Sequence, residues 1–332
     1  MSKPVIAVLG AGSWGTALAL LSAQNGYPTL LWGHDAARQA RLAHERENAR
    51  YLPGVRFPDN LLIREDLLAT VEAAAHLLIV VPSHAFRATL ELLKNRLATQ
   101  AVVAWATKGL EPASGRLLSQ VANEVLGEKR TLGVISGPTF AREVAQGLPT
   151  AVAVAANTTG GAETIAAWLR NERVRVYTCG DLVGVELGGA IKNVLAIATG
   201  ISDGLGLGAN ARAALITRGL AEMRRLTEAM GGNPETVMGL AGIGDLVLTC
   251  TDNQSRNRQV GLALGQGRTL PATLIAIGQV AEGVATAREV RKLAQRLQVD
   301  MPIIEQVYRV LFEDLSPQAA ADALLKREAR PE

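Results

Sequence analysis

A lysine stands in an otherwise apolar stretch of this sequence, one helical turn after a glycine. The stretch is ELGGAIKN, in which Gly188 and Lys192 would share one face of a helix. Because paired glycines weaken a helix, we expect another part of the chain to approach this face closely. Burial lowers the pKa of a lysine amine, and an amine that titrates near neutrality suits proton transfer. The pattern alone also allows an ordinary lysine, whose amine reaches the surface along its apolar stem.

Two polar groups later in the chain could serve such a lysine. Asp245 lies in the glycine-flanked, apolar sequence GIGDLVLT, where its carboxylate could orient the amine or simply cap a helix. Ser255 is a candidate N-cap, and Arg256 and Asn257 follow it directly. Free backbone N–H groups beside a guanidinium form a good phosphate site. A capped helix with a surface arginine would give the same pattern.

The sequence GAGSWG, from Gly10 to Gly15, follows an apolar run and opens a helical one. Gly10 permits a tight turn, and Gly12 lets the backbone approach a pyrophosphate. Gly15 lets the helix pack against the strand, while the N-terminus of the helix faces the phosphate charge. In this context the motif predicts a dinucleotide site rather than a plain strand–turn–helix corner.

The end of the second predicted strand bears on the choice of nucleotide. An acidic residue there binds the ribose hydroxyls of NAD, whereas a basic residue accommodates the phosphate of NADP. The sequence has Gly33, His34 and Asp35, of which His34 could face a 2′-phosphate and Asp35 could cap the following helix. The signal is mixed and leans to NADPH, with NAD also accepted.

Lys108 directly follows an apolar strand, at the sheet edge where α/β proteins bind ligands. Residues 82–84 and 136–139, at two other strand ends, are also small or polar. A cationic side chain at this edge could overlook the cofactor cleft. A lysine in a solvated loop would look the same in the sequence.

The elements that must position these residues change character midway along the chain. In the first part, short apolar strands alternate with helical segments, which indicates a parallel, doubly wound sheet of the α/β class. The predicted strands are residues 5–9, 29–33, 77–81, 101–106, 132–136, 151–155 and 173–178, and the predicted helices are residues 16–24, 36–44, 67–75, 86–97 and 115–126.

The strand pattern then fades, and helical patterns occupy residues 183–198, 211–230, 286–297 and 303–311. We therefore predict a dinucleotide-binding domain over residues 1–180. The helical domain over residues 181–332 would bind the substrate and carry the catalysis.

Composition narrows the function classes. Hydrophobic residues make up 48% and charged residues 20%, which is typical of a globular protein. Aromatic residues are only 4% and the net charge is +3, so we expect no nucleic-acid partner. Cys179 and Cys250 could form at most one disulfide, which could not stabilise a chain of 332 residues. We therefore expect reduced thiols and a cytoplasmic location. We expect no metal site, because the four His residues are scattered and no zinc-ligand spacing occurs. We expect no integral membrane segment, because charged residues interrupt the apolar run at residues 183–202.

Seven motifs, taken together, resemble the bacterial NAD(P)-dependent sn-glycerol-3-phosphate dehydrogenases. They occur in order along nearly the whole chain, as GAGSWGTALA from Gly10, WATKGLE from Trp105, SGPTFAREVA from Ser136, ELGGAIKNVLAI from Glu186, GANARAALITRGLAEM from Gly208, GIGDLVLTCTDNQSRN from Gly242 and GQVAEG from Gly278.

The resemblance implies a Rossmann-type sheet followed by an all-α domain like that of 6-phosphogluconate dehydrogenase. It implies interconversion of dihydroxyacetone phosphate and sn-glycerol 3-phosphate with NADPH or NADH, which supplies phospholipid synthesis, and it supports a homodimer. By position, Lys192 would accept and donate the proton, with Lys108 and Asp245 assisting. The implied cofactor contacts are Gly10, Gly12, Ser13, Trp14, Gly15, His34, Lys108, Ala141, Arg256, Val280 and Glu282, and the implied substrate contacts are Lys108, Gly137, Thr139, Lys192, Asp245, Ser255, Arg256 and Asn257.

Two other functions fit parts of the sequence. One is a dehydrogenase of similar two-domain build that acts on a hydroxy acid or a sugar nucleotide. The other is a non-catalytic sensor that binds NADPH to regulate a partner. Lys192 together with Asp245 argues against the sensor, which needs no proton-transfer pair.

Overall fold

An eight-stranded sheet lies in the first part of the chain in the computed structural model, which describes residues 3–112 and 114–328. Its strands are β1 (Ile6–Leu9), β2 (Thr29–Trp32), β3 (Leu61–Arg64), β4 (His76–Ile79), β5 (Val103–Trp105), β6 (Leu132–Ser136), β7 (Thr150–Ala156) and β8 (Val174–Cys179). They are arranged in the order β3-β2-β1-β4-β5-β6-β7-β8. Neighbouring strands are parallel except β6 and β7, which pair antiparallel. The predicted doubly wound α/β sheet is confirmed, with one antiparallel pair that the prediction did not include.

Helices connect these strands and cover the sheet. They are α1 (Ser13–Gln24), α2 (Ala36–Glu45), α3 (Leu67–Glu72), α4 (Ser83–Leu93), α5 (Leu118–Leu126), α6 (Ala141–Ala145) and α7 (Thr159–Leu169). Strand β1 is buried along its whole length, as expected for an apolar strand covered on both faces. The chain passes from β3 to β4 across β2 and β1, so the strand order reverses beside the glycine motif. Ligands of open α/β sheets bind at such a switch point.

The second part of the described chain is helical. It contains α8 (Leu182–Gly204), α9 (Gly208–Ala229), α10 (Asp245–Thr251), α11 (Arg256–Gly265), α12 (Leu270–Ile277), α13 (Glu282–Arg296), α14 (Pro302–Phe312) and α15 (Pro317–Leu325). A 3₁₀ turn at Thr236–Met238 and a π-helical turn at Leu240–Gly244 precede α10. Of the described helices, α8 alone is long and apolar enough to cross a membrane, but 89% of its apolar window is buried inside the protein. It is therefore the core helix of this part.

Helices α8 and α11 cross at unusually short distance because glycines face each other. A Cβ atom on Gly200 would overlap the carbonyl of Arg258, and one on Gly261 would overlap the carbonyl of Ile197. The close crossing brings the start of α11 against α8, which carries Lys192. Small residues thus determine how near two of the candidate site elements lie.

The described chain forms two compact units. The first contains the residues up to Lys108 together with Leu118–Val185, and the second contains Gly109–Leu117 together with the residues from Glu186 onward. The division that the sequence predicts between residues 180 and 181 stays a prediction. Several short elements were not predicted, namely β3, α6, α7, α10, α12 and α15.

Candidate active site

The amine of Lys192 is held inside the second unit. Its Nζ donates to Asp245 Oδ1 at 2.6 Å and to Thr249 Oγ1 at 2.7 Å. The lysine side chain is only 8% exposed and that of Asp245 is fully buried. The alternative of a lysine whose amine reaches the surface is therefore wrong. A buried ion pair persists only when both charges are well hydrogen-bonded, which is the case here.

Helix α10 presents the two partners of the lysine from consecutive turns. Asp245 is its first residue, and Thr249 lies four positions later on the same face. The Thr249 hydroxyl lies 3.3 Å from Asp245 Oδ1, so the carboxylate, the hydroxyl and the amine contact one another. The preceding residue, Gly244, is the N-cap of α10. Asp245 therefore binds the lysine and does not serve as the cap of its helix.

Gly188 explains how α10 comes so close to α8. A Cβ atom at Gly188 would overlap the carbonyl oxygen of Ala241, in the π-helical turn that leads into α10. The close approach that the paired glycines predict is confirmed. Any larger side chain at position 188 would push this turn away and lengthen the distance between Lys192 and Asp245.

Asn193, the neighbour of Lys192, ties three helices together. Asn257 on α11 donates from Nδ2 to Asn193 Oδ1 at 2.9 Å, and its own Oδ1 accepts from the backbone N–H of Gly283 on α13 at 2.9 Å. Both asparagines are buried. A Cβ atom on Gly283 would lie 2.6 Å from the carbonyl oxygen of Asn193, so glycine is needed for this approach. The network fixes the start of α11 relative to Lys192.

The start of α11 combines a capped N-terminus with a guanidinium. Ser255 is the predicted N-cap, and its Oγ accepts from the backbone N–H of Arg258 at 3.2 Å. The side chain of Arg256 is half-buried and donates from Nη1 to Gln279 Oε1 at 3.3 Å. N–H groups at a helix N-terminus attract anions, and a guanidinium fork matches phosphate oxygens.

Arg258 holds this start in place. Its Nε donates to the carbonyl of Cys250 at 3.1 Å, and its Nη2 pairs with the carboxylate of Asp203 at the end of α8. The same carboxylate accepts from Arg212 on α9 at 2.9 Å. Burial raises the pKa of the Cys250 thiol to about 12, so this cysteine stays a thiol at neutral pH.

Val280 and Glu282 lie at the beginning of α13, close in sequence to Gln279. Glu282 is the first residue of the helix and is half-buried, and Val280 is 54% exposed. The bond between Gln279 and Arg256 brings this segment to the start of α11. The second unit thus contains Lys192, Asp245 and five further candidate residues, namely Ser255, Arg256, Asn257, Val280 and Glu282. It also contains Thr249, which binds the lysine amine but was not among the candidates.

The glycine motif in the first unit has the geometry of a nucleotide cradle. Gly10 has a φ of +123°, and a Cβ atom there would lie 2.5 Å from the carbonyl oxygen of Val80. A Cβ atom on Gly15 would overlap the carbonyl of Gly10, whereas one on Gly12 would point into open space. Gly12 is the N-cap of α1 and has no side chain to cap it. The open space at Gly12 faces free helical N–H groups, as a bound pyrophosphate requires.

The neighbours of this cradle are placed as follows. Ser13 and Trp14 begin α1 and are half-buried, and the buried indole Nε1 of Trp14 makes no hydrogen bond within the described residues. His34 follows β2 and is exposed. Asp35 is the N-cap of α2, where its carboxylate accepts from the backbone N–H of Arg38 at 3.0 Å.

The remaining candidates of the first unit lie at the carboxyl ends of β5 and β6, which are neighbours in the sheet. Lys108 is half-buried and comes directly after Thr107, whose hydroxyl donates to the carbonyl of Val81 at 2.7 Å. Gly137 has a φ of +149° and follows β6. Thr139 Oγ1 donates to the carbonyl of Gly137 at 3.3 Å, and Ala141 is the first residue of α6.

Two residues of the lysine network were not predicted from the sequence. Thr249 could have been found from its spacing of four from Asp245, once a helix had been recognised there. Asn193 follows Lys192 directly, but its partner Asn257 is 64 positions away, and no local pattern signals that contact. In the described ranges, which omit Ala113 and both chain ends, no group of three or more His, Cys, Asp or Glu side chains could hold a metal ion.

The chain matches known proteins over nearly its full length. Residues 5–162 match the family model of the NAD-dependent glycerol-3-phosphate dehydrogenase N-terminus, and residues 181–322 match that of the C-terminus. The glycerol-3-phosphate dehydrogenase [NAD(P)+] of Methylococcus capsulatus is 57% identical over 328 residues, and that of Aeromonas salmonicida is 56% identical over 328 residues. Both alignments cover 98% of each chain.

Solved structures agree with this match. The crystal structure of glycerol-3-phosphate dehydrogenase from Coxiella burnetii is 50% identical, with a TM-score of 0.95, over 98% of this chain and 100% of that one. A yeast glycerol-3-phosphate dehydrogenase is 27% identical, with a TM-score of 0.84, over 98% of this chain and 100% of that one.

Proposed function

This chain belongs to the NAD-dependent glycerol-3-phosphate dehydrogenase family, and we propose that Lys192 transfers the proton in its reaction. The protein is an NAD(P)-dependent oxidoreductase that interconverts dihydroxyacetone phosphate and sn-glycerol 3-phosphate. Reduction converts the ketone, a reduced nucleotide and a proton into the alcohol and the oxidised nucleotide. The observation that supports the role of Lys192 is its buried amine, held by Asp245 and Thr249.

The glycine cradle fits a dinucleotide, because the open space at Gly12 leaves room for phosphates beside the N-terminus of α1. When bound there, a reduced nicotinamide nucleotide would supply the hydride for the carbonyl carbon of the substrate. We assign its binding to Gly10, Gly12, Gly15, Ser13, Trp14 and His34 in the first unit, with Ala141 and Lys108, and to Arg256, Val280 and Glu282 in the second unit.

Lys192 acts where charge develops on the substrate oxygen. As the carbonyl is reduced, that oxygen becomes an alkoxide, and the Lys192 ammonium donates the proton that completes the alcohol. In the oxidative direction the amine accepts the hydroxyl proton. The Asp245 carboxylate and the Thr249 hydroxyl keep the lysine in one rotamer and offset the cost of its buried charge. Lys108 adds a second cation that stabilises the developing negative charge.

The phosphate of the substrate would bind away from the reacting carbon. Ser255, Arg256 and Asn257 begin α11, where backbone N–H groups and the guanidinium favour a dianion. Gly137 and Thr139 complete the substrate site in the first unit. Binding energy from the phosphate serves to orient the carbonyl, so a substrate without phosphate loses turnover as well as affinity.

The test compares Lys192→Met with Lys326→Met, which removes an exposed lysine from the same unit. Oxidation of NADPH and of NADH by dihydroxyacetone phosphate is followed at the nicotinamide absorbance band. Loss of a general acid lowers kcat by about 10²–10⁴-fold, so we expect that loss for Lys192→Met and none for Lys326→Met. NADPH binding, measured by fluorescence, should persist in both variants. Turnover of Lys192→Met at the wild-type rate would overturn the proton role.

The same assay decides between this function and the two alternatives. Activity on 3-hydroxy acids without activity on glycerol 3-phosphate would favour another dehydrogenase. Tight NADPH binding without turnover of any substrate by the wild type would favour a nucleotide sensor.

We also propose that the enzyme is a cytoplasmic homodimer. Apolar side chains on the surface of the second unit support a subunit contact, among them Ile275, which is 81% exposed on the apolar helix α12. Sedimentation equilibrium at micromolar concentration should give twice the mass of one chain. A mass of one chain would contradict the dimer.

A further inference from the structure

Cationic side chains surround one tyrosine beside the glycine cradle. The guanidinium of Arg38, on α2, lies 4.2 Å from the centre of the Tyr51 ring, and that of Arg50 lies 5.4 Å from it. His34 precedes the same helix and is exposed. We call His34, Arg38, Arg50 and Tyr51 the β2-end cluster. A guanidinium stacked on an aromatic ring keeps its N–H edges available for an anion.

The Arg38 side chain is fixed on the glycine motif itself. Its Nη2 donates to the carbonyl oxygen of Ala11 at 2.7 Å. Among hydrogen bonds between described residues, this contact uses one of the five N–H groups that a guanidinium carries. The remaining donors lie next to the loop that holds the nucleotide phosphates. Arg38 is half-buried, so an anion bound there is partly shielded from water.

Tyr51 is anchored to the same loop. Asn48 donates from Nδ2 to Thr16 Oγ1 at 2.8 Å and to the carbonyl of Ala11 at 3.3 Å. The backbone N–H of Tyr51 in turn donates to the carbonyl of Asn48 at 3.0 Å. The ring is therefore held where it can order Arg38, and both residues keep their place relative to Gly10 and Gly12.

The carboxylate in this region is already engaged. Asp35 caps α2 by accepting from the backbone N–H of Arg38. A Cβ atom on Gly33 would lie 3.0 Å from the Cβ atom of Ala11, so the backbone at the end of β2 lies directly against the glycine loop. In dinucleotide folds the end of this strand approaches the adenosine ribose. Cations at this position favour a 2′-phosphate over a 2′-hydroxyl.

We propose that Arg38, ordered by Tyr51 and supported by Arg50, binds the 2′-phosphate of NADPH and determines the preference of this enzyme for NADPH over NADH. The inference rests on the proposed nucleotide site in the first unit, and it assigns to Arg38 and Tyr51 a role that His34 alone would not fill. A charge-assisted pair with phosphate is strong because both partners are ionised, and its strength does not depend on the nicotinamide end of the molecule.

The experiment measures dissociation constants by titration calorimetry for two pairs of nucleotides, NADP⁺ with NAD⁺ and 2′,5′-ADP with 5′-AMP. The variants are Arg38→Gln, Arg38→Lys and Arg41→Gln, of which the last removes an exposed arginine from the same helix. For Arg38→Gln we expect the ratio of the NADP⁺ to the NAD⁺ constant to rise by about tenfold or more. Arg38→Lys should recover part of this change, and Arg41→Gln should leave the ratio as in the wild type.

The ratio separates binding of the phosphate from a structural role of Arg38. If Arg38 only supported the fold, Arg38→Gln would weaken both members of each pair equally, and an unchanged ratio would overturn the proposal. If Arg38→Gln does not fold, Tyr51→Leu provides the test. We expect the same ratio to rise in Tyr51→Leu, and an unchanged ratio in that variant would overturn the proposal. If the wild type bound no dinucleotide at all, the proposed function itself would fail, which is a different result from an unchanged ratio.

Discussion

At the scale of single residues, the buried charge of Lys192 is the feature that most needs compensation by its surroundings. An isolated ammonium in a protein interior is strongly disfavoured, so its carboxylate partner contributes to stability as well as to the proposed proton transfer. Asp245 is fully buried and 2.6 Å from the amine, which leaves neither charge exposed to water. Removing one partner would leave the other charge buried without its counter-ion. The pair should therefore affect the free energy of unfolding as well as the rate of turnover, and the two effects can be measured separately.

A double-mutant cycle on Lys192 and Asp245 should reveal this coupling. We expect Lys192→Met to lower the free energy of unfolding by about 3 kcal/mol, because it removes the ammonium that neutralises the buried Asp245 carboxylate. The double variant Lys192→Met/Asp245→Leu should recover most of that loss, since apolar groups replace both charges. Urea denaturation measures the stabilities, and kcat should stay about 10²–10⁴-fold below the wild-type value in both variants. A single variant as stable as the wild type would show that water or another group reaches Asp245.

At the scale of elements, glycines at helix crossings determine how near the site residues come. Helices α8 and α11 meet through Gly200, Gly204, Gly261 and Gly265, and a Cβ atom at any of these positions would overlap backbone of the facing helix or come within 3.0 Å of it. Backbone atoms cannot yield as a flexible side chain does. A methyl group here must therefore separate the helices and displace the start of α11, where we propose that the substrate phosphate binds.

Gly261→Ala tests this crossing. We expect it to lower the free energy of unfolding by about 3 kcal/mol, because the methyl group would overlap the carbonyl of Ile197. The control is Gly160→Ala on α7, where a Cβ atom has nothing within 4 Å and alanine should stabilise the helix by about 0.5 kcal/mol. Thermal denaturation of both variants is the measurement. Equal effects would mean that the helices accommodate a methyl group without moving apart.

Glu222 joins α9 to the N-terminus of α14 and should make stability depend on pH. Its carboxylate accepts from the backbone N–H groups of Ile303 at 2.7 Å and Ile304 at 3.2 Å. Burial is the main cause that raises its pKa from 4.5 to about 7. The two backbone hydrogen bonds lower the pKa, Arg225 lowers it further, and Asp300 raises it. The folded protein therefore holds this proton more tightly than the unfolded chain does.

The sign follows from that difference in pKa. The contribution is fully present below pH 4.5 and is lost as the pH rises toward 7, since folding then requires an ionised carboxylate in a buried position. We expect the wild type to lose about 3 kcal/mol relative to Glu222→Gln across this range. Denaturation in urea at several pH values measures it. A parallel pH dependence of the two proteins would contradict the buried titration.

The sequence predicted those elements whose apolar patterns are long or uninterrupted. Strand β6 lies at the predicted residues 132–136. Strand β3 was missed because it is short and lies at the edge of the sheet. Only Leu61 of this strand is buried, and Leu62 is 44% exposed, so it lacks the long apolar run of a buried strand. Helix α15 is also short and rich in alanine, which weakens any periodic pattern.

Individual residues, inside and outside the candidate site, also differ in how far the sequence reveals their roles. Lys192 and Asp245 were recognisable because a charge in an apolar run needs an explanation. The capping role of Glu222 could not be predicted, because it contacts residues 81 and 82 positions away and stands among charged neighbours that resemble a solvated helix face. Only the fold brings its carboxylate to the N-terminus of α14.

At the scale of the whole molecule, the two units carry separable parts of the proposed reaction. The glycine cradle lies in the first unit, and Lys192 with its partners lies in the second. A ligand that binds only the folded state stabilises it in proportion to its concentration over its dissociation constant. The nucleotide-induced rise in Tm therefore reports on nucleotide binding, to which the cradle contributes, while the proposed turnover also needs Lys192.

We expect Gly12→Ala to fold like the wild type and to lose this rise in Tm. The φ of Gly12 is −74° and no atom lies within 4 Å of its Cβ position, so alanine meets no strain in the empty cradle. The added methyl group would instead occupy the space of the pyrophosphate. At about 100 times the dissociation constant of NADPH, the wild type should gain about 2.7 kcal/mol. Lys192→Met should keep that gain in stability although its kcat is low. Gly12→Ala should show neither the gain nor wild-type turnover. A full rise in Tm for Gly12→Ala would mean that the nucleotide phosphates lie elsewhere in the first unit.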